Sequence, residues 1–333
     1  MKTSERTIGP DAWYGGRAVL VLGGLGFMGV NLSRRLVAAG ARVTVVTPRR
    51  SSHAEQAAAL EASGAVIVEA DVRDAWAMRR SVIQQEVLFN LSARSGAVRS
   101  LEDPFTDLDV NCRGGLVLLE ALRAENRQAS LVFVGSRLEY GRVSAGAVGE
   151  DHPADPLCVH AVHKLTVEKY LRVYGSVFGL KSVVARVTNP YGPGQPPART
   201  EYGIVNRMIH LALSDEVLTV YGDGRQRRDY IFIDDVVTAL LALGQSASSQ
   251  SRAYNVGTGV GIPFIEMARA ITAAAGSGRI ELARWPPLAE QIETGDFVAD
   301  ISRIQRDLGW SPAVSLDEGL RRTVAFYRAH VPS

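Results

Sequence analysis

The sequence predicts an α/β fold, in which a doubly wound parallel sheet is accompanied by a smaller mixed α/β C-terminal domain. In the first half of the chain, short runs of β-branched and other apolar residues alternate with helical patterns, and a glycine-rich turn joins the first run to the first helix. This alternation favours βαβ units, whose strands are parallel and whose helices cover both faces of the sheet.

Five apolar runs in the first half are predicted strands. They are residues 18–22, 42–46, 65–68, 87–91 and 131–134. A helix is predicted from Val30 and should end at Gly40, because glycine commonly follows the last helical turn. Further helices near 105–125 and 157–178 are expected to cover the later strands.

The second half of the chain is less regular. A Pro/Gly-rich segment at 189–197 is predicted to be a loop where the chain leaves the sheet. A helix near 203–214, a strand within 218–224, a strand running into a helix over 229–243 and an amphipathic C-terminal helix complete the predicted elements. The order predicts a tail (1–16), a cofactor domain (17–187 plus 230–262) and a second domain (188–229 plus 263–333).

Composition excludes several classes of function. The 333 residues are 46% hydrophobic and 22% charged with a net charge of +2, so we expect no nucleic-acid partner. No apolar run approaches the roughly 20 residues of a membrane span, and the polar N-terminus lacks the apolar segment of a signal peptide. The two cysteines, Cys112 and Cys158, are far apart in sequence. We therefore expect a soluble, cytoplasmic protein with reduced thiols and no metal site.

The glycine-rich turn predicts a dinucleotide site. The strand A-V-L-V-L runs directly into G-G-L-G-F-M-G and then into a helix. Glycines allow the tight turn, let the backbone approach a pyrophosphate and let the helix pack against the strand, while the helix N-terminus offers free N–H groups to the phosphates. We therefore expect a Rossmann-type domain whose cofactor contacts include Gly23, Leu25, Gly26, Phe27, Met28 and Gly29.

The end of the second strand bears on the choice between NAD and NADP. An acidic residue there would bind the ribose 2′-hydroxyl, whereas arginine accommodates a 2′-phosphate. Thr47 occupies the position, and Arg49 and Arg50 follow. NADP(H) is slightly favoured over NAD(H), the alternative being a solvated basic turn.

The ends of the third and fourth strands supply further cofactor candidates. Asp71 follows the third strand and could bond the adenine amine; alternatively, it caps a turn. The other expected cofactor contacts near these strand ends are Val72, Leu91, Ser92 and Ala93.

Several ordered motifs resemble the extended short-chain dehydrogenase/reductases, the NAD(P)-dependent nucleotide-sugar epimerases, dehydratases and reductases. They are G-G-L-G-F-M-G, A-D-V-R-D at 70–74, D-V-N-C-R-G around Asn111, R-V-T-N-P-Y-G-P-G-Q at 186–195, Y-G-D-G-R-Q-R-R-D-Y-I-F-I-D-D-V at 221–236 and D-L-G-W-S-P at 307–312. The resemblance spans residues 17–328. It implies an active site in the cleft between the two domains and a homodimer formed through the helices near 105–125 and 157–178.

The resemblance also implies how the substrate is held. Arg228 matches the phosphate-binding arginine and Asn189 a position that contacts the nucleotide-sugar phosphates, with Arg94 and Tyr221 as further substrate contacts. A guanidinium suits a diphosphate because it can donate to two oxygens at once. The alternative for Arg228 is a surface salt bridge with Asp229 or Asp223. The family often has another arginine just before the Gly-Asp pair at 295–296, where this sequence reads I-E-T-G-D.

The catalytic residues contain one departure from the family pattern. The family uses a Ser or Thr, a Tyr that transfers the proton, and a Lys four residues after the Tyr, which lowers the pKa of the Tyr and holds the nicotinamide ribose. Ser136 and Lys164 match, but His160 stands at the Tyr position. Imidazole carries protons near neutral pH, yet it is shorter than phenol by roughly 2 Å. His160 is either the direct acid/base or a positioning residue, with proton transfer managed elsewhere.

Neighbouring residues offer other roles. Glu139 could be a carboxylate base or a solvated loop residue, and His163 is expected to pack. Members of the family that dehydrate the sugar at C4–C6 use an Asp-Glu pair directly after the catalytic Ser/Thr. Arg137 and Leu138 stand there instead, which argues against a 4,6-dehydratase.

The resemblance leaves four functions open. The first is an enzyme that epimerises a nucleotide-diphosphate sugar through a transient keto-sugar. The second is an NADPH-dependent reductase of a keto-sugar, and the third is a reductase of another ketone from a specialised pathway. The fourth is a binding or regulatory protein that keeps the cofactor but has lost turnover.

Overall fold

A computed structural model describes residues 10–144, 146–195, 203–248 and 250–330 of the chain. The strands are β1 Ala18–Leu22, β2 Arg42–Thr47, β3 Val66–Glu69, β4 Val87–Asn90, β5 Ser130–Ser136, β6 Ala147–Val148, β7 Lys181–Val187, β8 Asn189–Tyr191, β9 Val217–Tyr221, β10 Arg227–Phe232, β11 Arg252–Val256, β12 Gly261–Pro263, β13 Arg279–Ala283 and β14 Val298–Ala299.

Helices connect and cover these strands. They are α1 Pro10–Trp13, α2 Phe27–Ala38, α3 Ala54–Ala62, α4 Ala75–Val82, α5 Ala97–Glu102, α6 Pro104–Asp107, α7 Gly114–Glu125, α8 Val159–Phe178, α9 Ile204–Leu213, α10 Ile233–Ser246, α11 Phe264–Ala275, α12 Pro287–Gln291, α13 Ser302–Leu308 and α14 Leu316–His330. A π-helical turn, Leu108–Arg113, joins α6 to α7, and short 3₁₀ turns form at Ser51–His53 and Arg137–Tyr140.

Seven parallel strands of the described residues form the main sheet, in the order β3-β2-β1-β4-β5-β7-β11. Both faces of this sheet are covered. Val19 and Val21 of β1 pack into one hydrophobic cluster, while Leu20 and Leu22 pack into the other. Because successive side chains of a strand point to opposite faces, this division requires helices on both sides. The Rossmann-type α/β fold is therefore confirmed.

The strand order reverses beside β1, and this reversal positions the site. From β1 the chain runs outward through β2 and β3, and then returns to β4 on the other side of β1. In open α/β sheets, ligands bind outside the carboxyl ends of the strands at such a switch point.

Smaller sheets of the described residues lie beyond the main one. β8, β10 and β12 form a three-stranded sheet, β9 pairs with β13, and β6 pairs with β14. β7 pairs with β5 up to its carboxyl end, and β8 follows β7 after one residue. The smaller sheets therefore bring late segments of the chain beside the carboxyl end of β5.

The sequence-based element predictions were confirmed for the five early strands, and most differences from the structure lie at helix ends. α2 begins three residues before the predicted Val30, because Gly26 already serves as its N-terminal cap. The helix predicted near 105–125 is interrupted by the π-helical turn. The segment predicted as a loop at 189–197 begins with β8, and its last two residues lie outside the described residues. β7 and β11 were not predicted.

The described helices are individually too short or too polar to span a membrane. Cys112 and Cys158 are both buried free thiols.

Candidate active site

The turn after β1 forms a cradle that only glycine permits. Gly23 has a φ of +74°, and a Cβ placed there would lie 2.9 Å from the Ser92 backbone nitrogen. A Cβ on Gly29 would lie 2.2 Å from the Gly23 carbonyl oxygen. Gly26 then caps α2, so the first N–H groups of this helix face the turn. This cradle fits the pyrophosphate of a dinucleotide, with Leu25, Phe27 and Met28 on the same turn.

The basic residues after β2 lie in different environments. Thr47 is buried at the end of the strand, while Arg49 and Arg50 are exposed. The Arg50 guanidinium is 2.7 Å from the Glu61 carboxylate, so an ion pair within the protein already occupies it. Arg49 is therefore the better placed of the two to meet a phosphate from outside.

The Asp71 side chain forms hydrogen bonds within its own loop. Its carboxylate accepts hydrogen bonds from the Arg73 amide at 2.9 Å and from the Arg73 guanidinium at 2.9 and 2.8 Å. Hydrogen bonds from this guanidinium hold the pKa of Asp71 below its usual value, so the side chain is an acceptor. The next residue, Val72, is buried against Gly114 of α7, where an added Cβ would lie 2.5 Å from its Cγ1.

The loop after β4 is anchored by Asn111 of the π-helical turn. The Asn111 side chain accepts a bond from the Arg94 amide at 3.2 Å and donates one to the Arg94 carbonyl at 3.1 Å. Ser92 is fixed separately, since its hydroxyl donates to Asn90 at 2.6 Å. Leu91, Ser92 and Ala93 thus line the turn beside Gly23. The Arg94 guanidinium forms an ion pair with Asp103.

Ser136 ends β5 and is held by Glu139. The Glu139 carboxylate accepts a 2.7 Å bond from the Ser136 amide, while the Ser136 hydroxyl accepts a 3.2 Å bond from the Leu138 amide. Glu139 is fully buried, and its carboxylate lies 3.4 Å from Arg186. Burial and the adjacent Glu168 raise the pKa of Glu139 well above its usual range. The solvated-loop alternative for Glu139 was therefore wrong.

Lys164 reaches from α8 toward the same strand. Its ammonium donates a 3.0 Å hydrogen bond to the Val134 carbonyl and lies 4.8 Å from the centre of the Phe133 ring. Burial lowers the pKa of Lys164 to about 8, although Glu139 and Asp107 oppose the shift. Lys164 thus contacts Val134, two residues before Ser136 on β5.

His160 is part of a buried network centred on Asp107. The Asp107 carboxylate lies 2.6 Å from His163 Nδ1 and accepts a 2.8 Å bond from the Asn111 amide. Its other oxygen is 3.6 Å from His160 Nδ1, which also lies 3.4 Å from Asn111 Nδ2. The His160 amide donates to the Ser100 hydroxyl at 3.0 Å.

Burial and hydrogen bonding have opposite effects on the pKa values of this network. Burial alone would raise the pKa of Asp107, but bonds from His160, His163 and Asn111 outweigh it and lower the pKa to about 2. The carboxylate is therefore ionised at neutral pH. Burial lowers the pKa of His160 below its ordinary value, and Lys164 adds to the shift, whereas Asp107 and the Arg94 carbonyl oppose it. His160 is thus mainly neutral, with a carboxylate available to stabilise its protonated form.

Two arginines meet on the substrate side of Ser136. Arg137 donates from Nε to the Asn189 side chain at 3.2 Å and from Nη1 to the Thr294 hydroxyl at 3.0 Å. Arg228 is buried, and its guanidinium is bound by the Glu293 carboxylate and the Gly295 carbonyl.

The surface salt bridges suggested for Arg228 were therefore wrong. Asp229 instead accepts bonds from the Thr258 amide at 2.8 Å and the Gly259 amide at 3.0 Å, and Asp223 pairs with the exposed Arg225.

Comparisons with known proteins agree with this geometry. Residues 19–257 match the model of the NAD dependent epimerase/dehydratase family. A UDP-glucose 4-epimerase of Mycolicibacterium smegmatis is 34% identical over 311 residues, which are 93% of this chain and 98% of that protein. A dTDP-glucose 4,6-dehydratase of Streptomyces griseus is 30% identical over 322 residues, covering 94% of each. A solved UDP-glucose 4-epimerase of Thermus thermophilus, in complex with NAD, is 33% identical with a TM-score of 0.84, covering 94% of this chain and 100% of that one.

The chain belongs to the NAD-dependent epimerase/dehydratase family. It is accordingly an enzyme of the extended short-chain dehydrogenase/reductase type, and its cofactor is of the NAD(P) class.

Tyr221, a predicted substrate contact, lies beside Trp285. It ends β9, and its ring centre is 5.4 Å from that of Trp285. Beside them is a surface cavity of about 520 Å³ lined by Gly222, Leu282, Ala283, Arg284, Trp285 and Glu290. Trp285 was not recognised in the sequence, because a single aromatic residue in an irregular segment carries no spacing signal.

Sequence reasoning also missed the central carboxylate. Asp107 lies 53 positions before His160 in the chain, and its partner His163 was assigned to packing. His163 is indeed buried, but it also bonds Asp107. A useful signal was present, because polar residues occupy buried positions of these helices, Asp107 on α6, Asn111 on the π-helical turn and His163 on α8. Buried polar residues of this kind indicate a hydrogen-bonded network.

Proposed function

We propose that this enzyme epimerises a nucleotide-diphosphate sugar through a transient keto-sugar. The observation that carries the proposal is the buried network in which the Asp107 carboxylate lies 3.6 Å from His160 Nδ1, with His160 one helical turn before Lys164 on α8. These groups suit a reaction in which one hydroxyl loses and later regains a proton. The names of the UDP-glucose 4-epimerase relatives support the substrate class.

NAD(P), when bound in the glycine cradle, supplies hydride exchange with the sugar carbon. Ser136 then holds the oxygen of the reacting carbon by a hydrogen bond from its hydroxyl. Glu139 and Leu138 keep Ser136 in place through the bonds at 2.7 and 3.2 Å. Lys164 provides a positive charge beside the reacting oxygen and hydrogen-bond donors for the nicotinamide ribose.

His160 takes the place of the usual tyrosine as proton carrier. In its neutral form it accepts the hydroxyl proton as the keto-sugar forms, and it becomes an imidazolium. Asp107, whose carboxylate oxygen is 3.6 Å from His160 Nδ1, stabilises that cation and keeps the ring oriented. The imidazolium would then give the proton back to the same oxygen as the hydroxyl forms again. The carboxylate thus offsets the weakness of a buried neutral histidine as an acid.

A reductase and a 4,6-dehydratase are the alternatives to this function. A reductase of a keto-sugar or another ketone is the second candidate, and the exposed position of Arg49 after β2 favours it, because net reductions usually draw on NADPH. A 4,6-dehydratase is disfavoured, because Arg137 and Leu138 stand where an Asp-Glu pair would act. A dehydratase of Streptomyces griseus is nevertheless among the relatives.

The epimerase proposal is tested by following absorbance at 340 nm during turnover of UDP- and dTDP-sugars. We expect the product epimer to form with no net change in absorbance and without added cofactor being consumed. Stoichiometric loss of NADPH absorbance with a keto substrate would instead establish the reductase.

Replacing the proton carrier should lower turnover. We expect His160→Phe to reduce kcat by about 10-fold or more, the low end of general acid–base contributions of roughly 10²–10⁴. His152→Phe, a histidine outside the network, is the matched control. Retained cofactor binding and an unchanged kcat in His160→Phe would rule out His160 as proton carrier.

Asp107→Asn should change the pH dependence as well as the rate. Asp107 raises the pKa of His160, so its neutralisation lowers that pKa further and extends the basic form to lower pH. The acid limb of the kcat/KM profile is therefore expected to shift to lower pH, while kcat falls because the imidazolium loses its counter-ion. An acid limb that stays in place would remove Asp107 from the proton path.

We also propose that Arg49 confers a slight preference for NADP(H) over NAD(H). We expect Arg49→Gln to weaken NADP⁺ binding about 10-fold in equilibrium titrations while NAD⁺ binding changes little, because only NADP⁺ has a 2′-phosphate. Arg50→Gln is the comparison variant, since Arg50 is paired with Glu61. Equal losses for both cofactors in Arg49→Gln would contradict this assignment.

We also propose a homodimer through the helices after β4 and before β7. Large apolar side chains are exposed on them, namely Phe105, Leu108, Val162, Val173 and Val177. Val177→Glu, which alters a side chain exposed to 64%, is expected to give a monomer in light-scattering measurements. Val260→Glu changes a similarly exposed valine on a different segment and should leave the dimer intact. A dimeric Val177→Glu, or a monomeric native protein, contradicts the proposed interface.

A further inference from the structure

Arg137 is a cation near Arg228 that forms no direct ion pair among the described residues, although the charges of Glu293 and Asp229 favour its protonated form. Its two hydrogen bonds go to neutral acceptors, the Asn189 side-chain oxygen at 3.2 Å and the Thr294 hydroxyl at 3.0 Å. Burial and the neighbouring Arg228 lower the pKa of Arg137 to about 9, which leaves the guanidinium charged at neutral pH. Holding such a charge without a counter-ion is costly, and an arriving anion would relieve that cost.

Arg137 is firmly oriented despite lacking an anion. Asn189 donates a 2.8 Å bond to the Asp229 carbonyl, so the amide is fixed and its oxygen is directed to Arg137. Thr294 fixes a second nitrogen of the same guanidinium. A side chain held at two points by the protein can bind a ligand without losing much further conformational freedom.

Arg228, by contrast, is occupied by an anion from the protein. Glu293 binds its guanidinium and also accepts a 3.0 Å bond from the Gly295 amide. The Glu293 side chain is 24% exposed, so this carboxylate is at the solvent side of the cleft. The segment 293–295 thus meets both arginines, Arg228 through Glu293 and Gly295, and Arg137 through Thr294.

We propose that Arg137 and Arg228 together bind the diphosphate of the nucleotide substrate, and that Glu293 occupies this anion site until the diphosphate displaces it. The assignment rests on the proposed function, because it concerns how the same cleft holds a nucleotide-diphosphate sugar. It adds a binding residue on the Rossmann side of the cleft and a competing carboxylate on the opposite side.

Charge and position favour the diphosphate over an acidic group on the sugar. A diphosphate presents two neighbouring negative centres, which matches two guanidiniums held by one short segment. Arg137 bonds Asn189, the residue that matches a position contacting the nucleotide-sugar phosphates in the family, and it also bonds Thr294. A sugar carboxylate would instead have to meet Arg137 alone.

The test is calorimetric binding of UDP, dTDP and UMP to the holoenzyme. We expect Arg137→Gln to weaken binding of the better nucleoside diphosphate by about 10-fold or more, with a smaller loss for UMP, which has one phosphate. Glu293→Gln, which keeps the shape of the side chain but removes its charge, should strengthen diphosphate binding several-fold. Arg225→Gln, at an exposed arginine near the end of β9, is the matched control and should bind like the native protein.

Other outcomes would overturn the assignment. Native diphosphate affinity in Arg137→Gln rejects Arg137 as a diphosphate ligand, and a loss confined to a UDP-uronic acid would show that it faces the sugar instead. Unchanged or weaker binding in Glu293→Gln rejects the displacement. If the native holoenzyme binds neither UDP nor dTDP, the proposed function itself fails, which is a distinct result.

Discussion

The buried carboxylate of Asp107 is the interaction on which the proposed catalytic site depends. It joins α8, which supplies His160 and His163, to the π-helical turn directly after Asp107, which supplies Asn111. Asn111 in turn anchors the loop after β4, which lies against the glycine cradle. Such π-helical turns occur often at functional sites. One ionised group thus connects the cofactor loop to the proposed proton carrier.

Much of the fold could be predicted from local sequence, because strands and tight turns are determined by apolar runs and glycines within a few residues. The cradle of Gly23, Gly26 and Gly29 is such a case. β7 and β11 were not predicted, although Gly179 ends α8 just before β7, and their pairing in the sheet identifies them. The spacing of His160 and Lys164 predicts two side chains on one helix face, and both are buried on α8.

The contacts that the sequence could not supply are those between distant segments. Glu139 was considered solvated, but it is fully buried because it caps the 3₁₀ turn after Ser136 and meets Arg186. Glu293 lies in the segment I-E-T-G-D, and it binds Arg228 directly. Arg137 brings a guanidinium toward the same segment from the other side of the cleft. The charged groups that contact one another here come from distant parts of the sequence, so the structure is needed to identify the pairs.

The protonation state of His160 decides whether it can act as the proton carrier. It is measured most directly by an NMR titration of the holoenzyme with ¹⁵N-labelled histidine, in which the His160→Phe variant assigns the signal. The proposed role predicts a neutral imidazole at pH 7 whose pKa lies below the ordinary value of about 6.5 and falls further in Asp107→Asn. An imidazolium that persists through neutral pH, or a pKa that ignores Asp107, would contradict it.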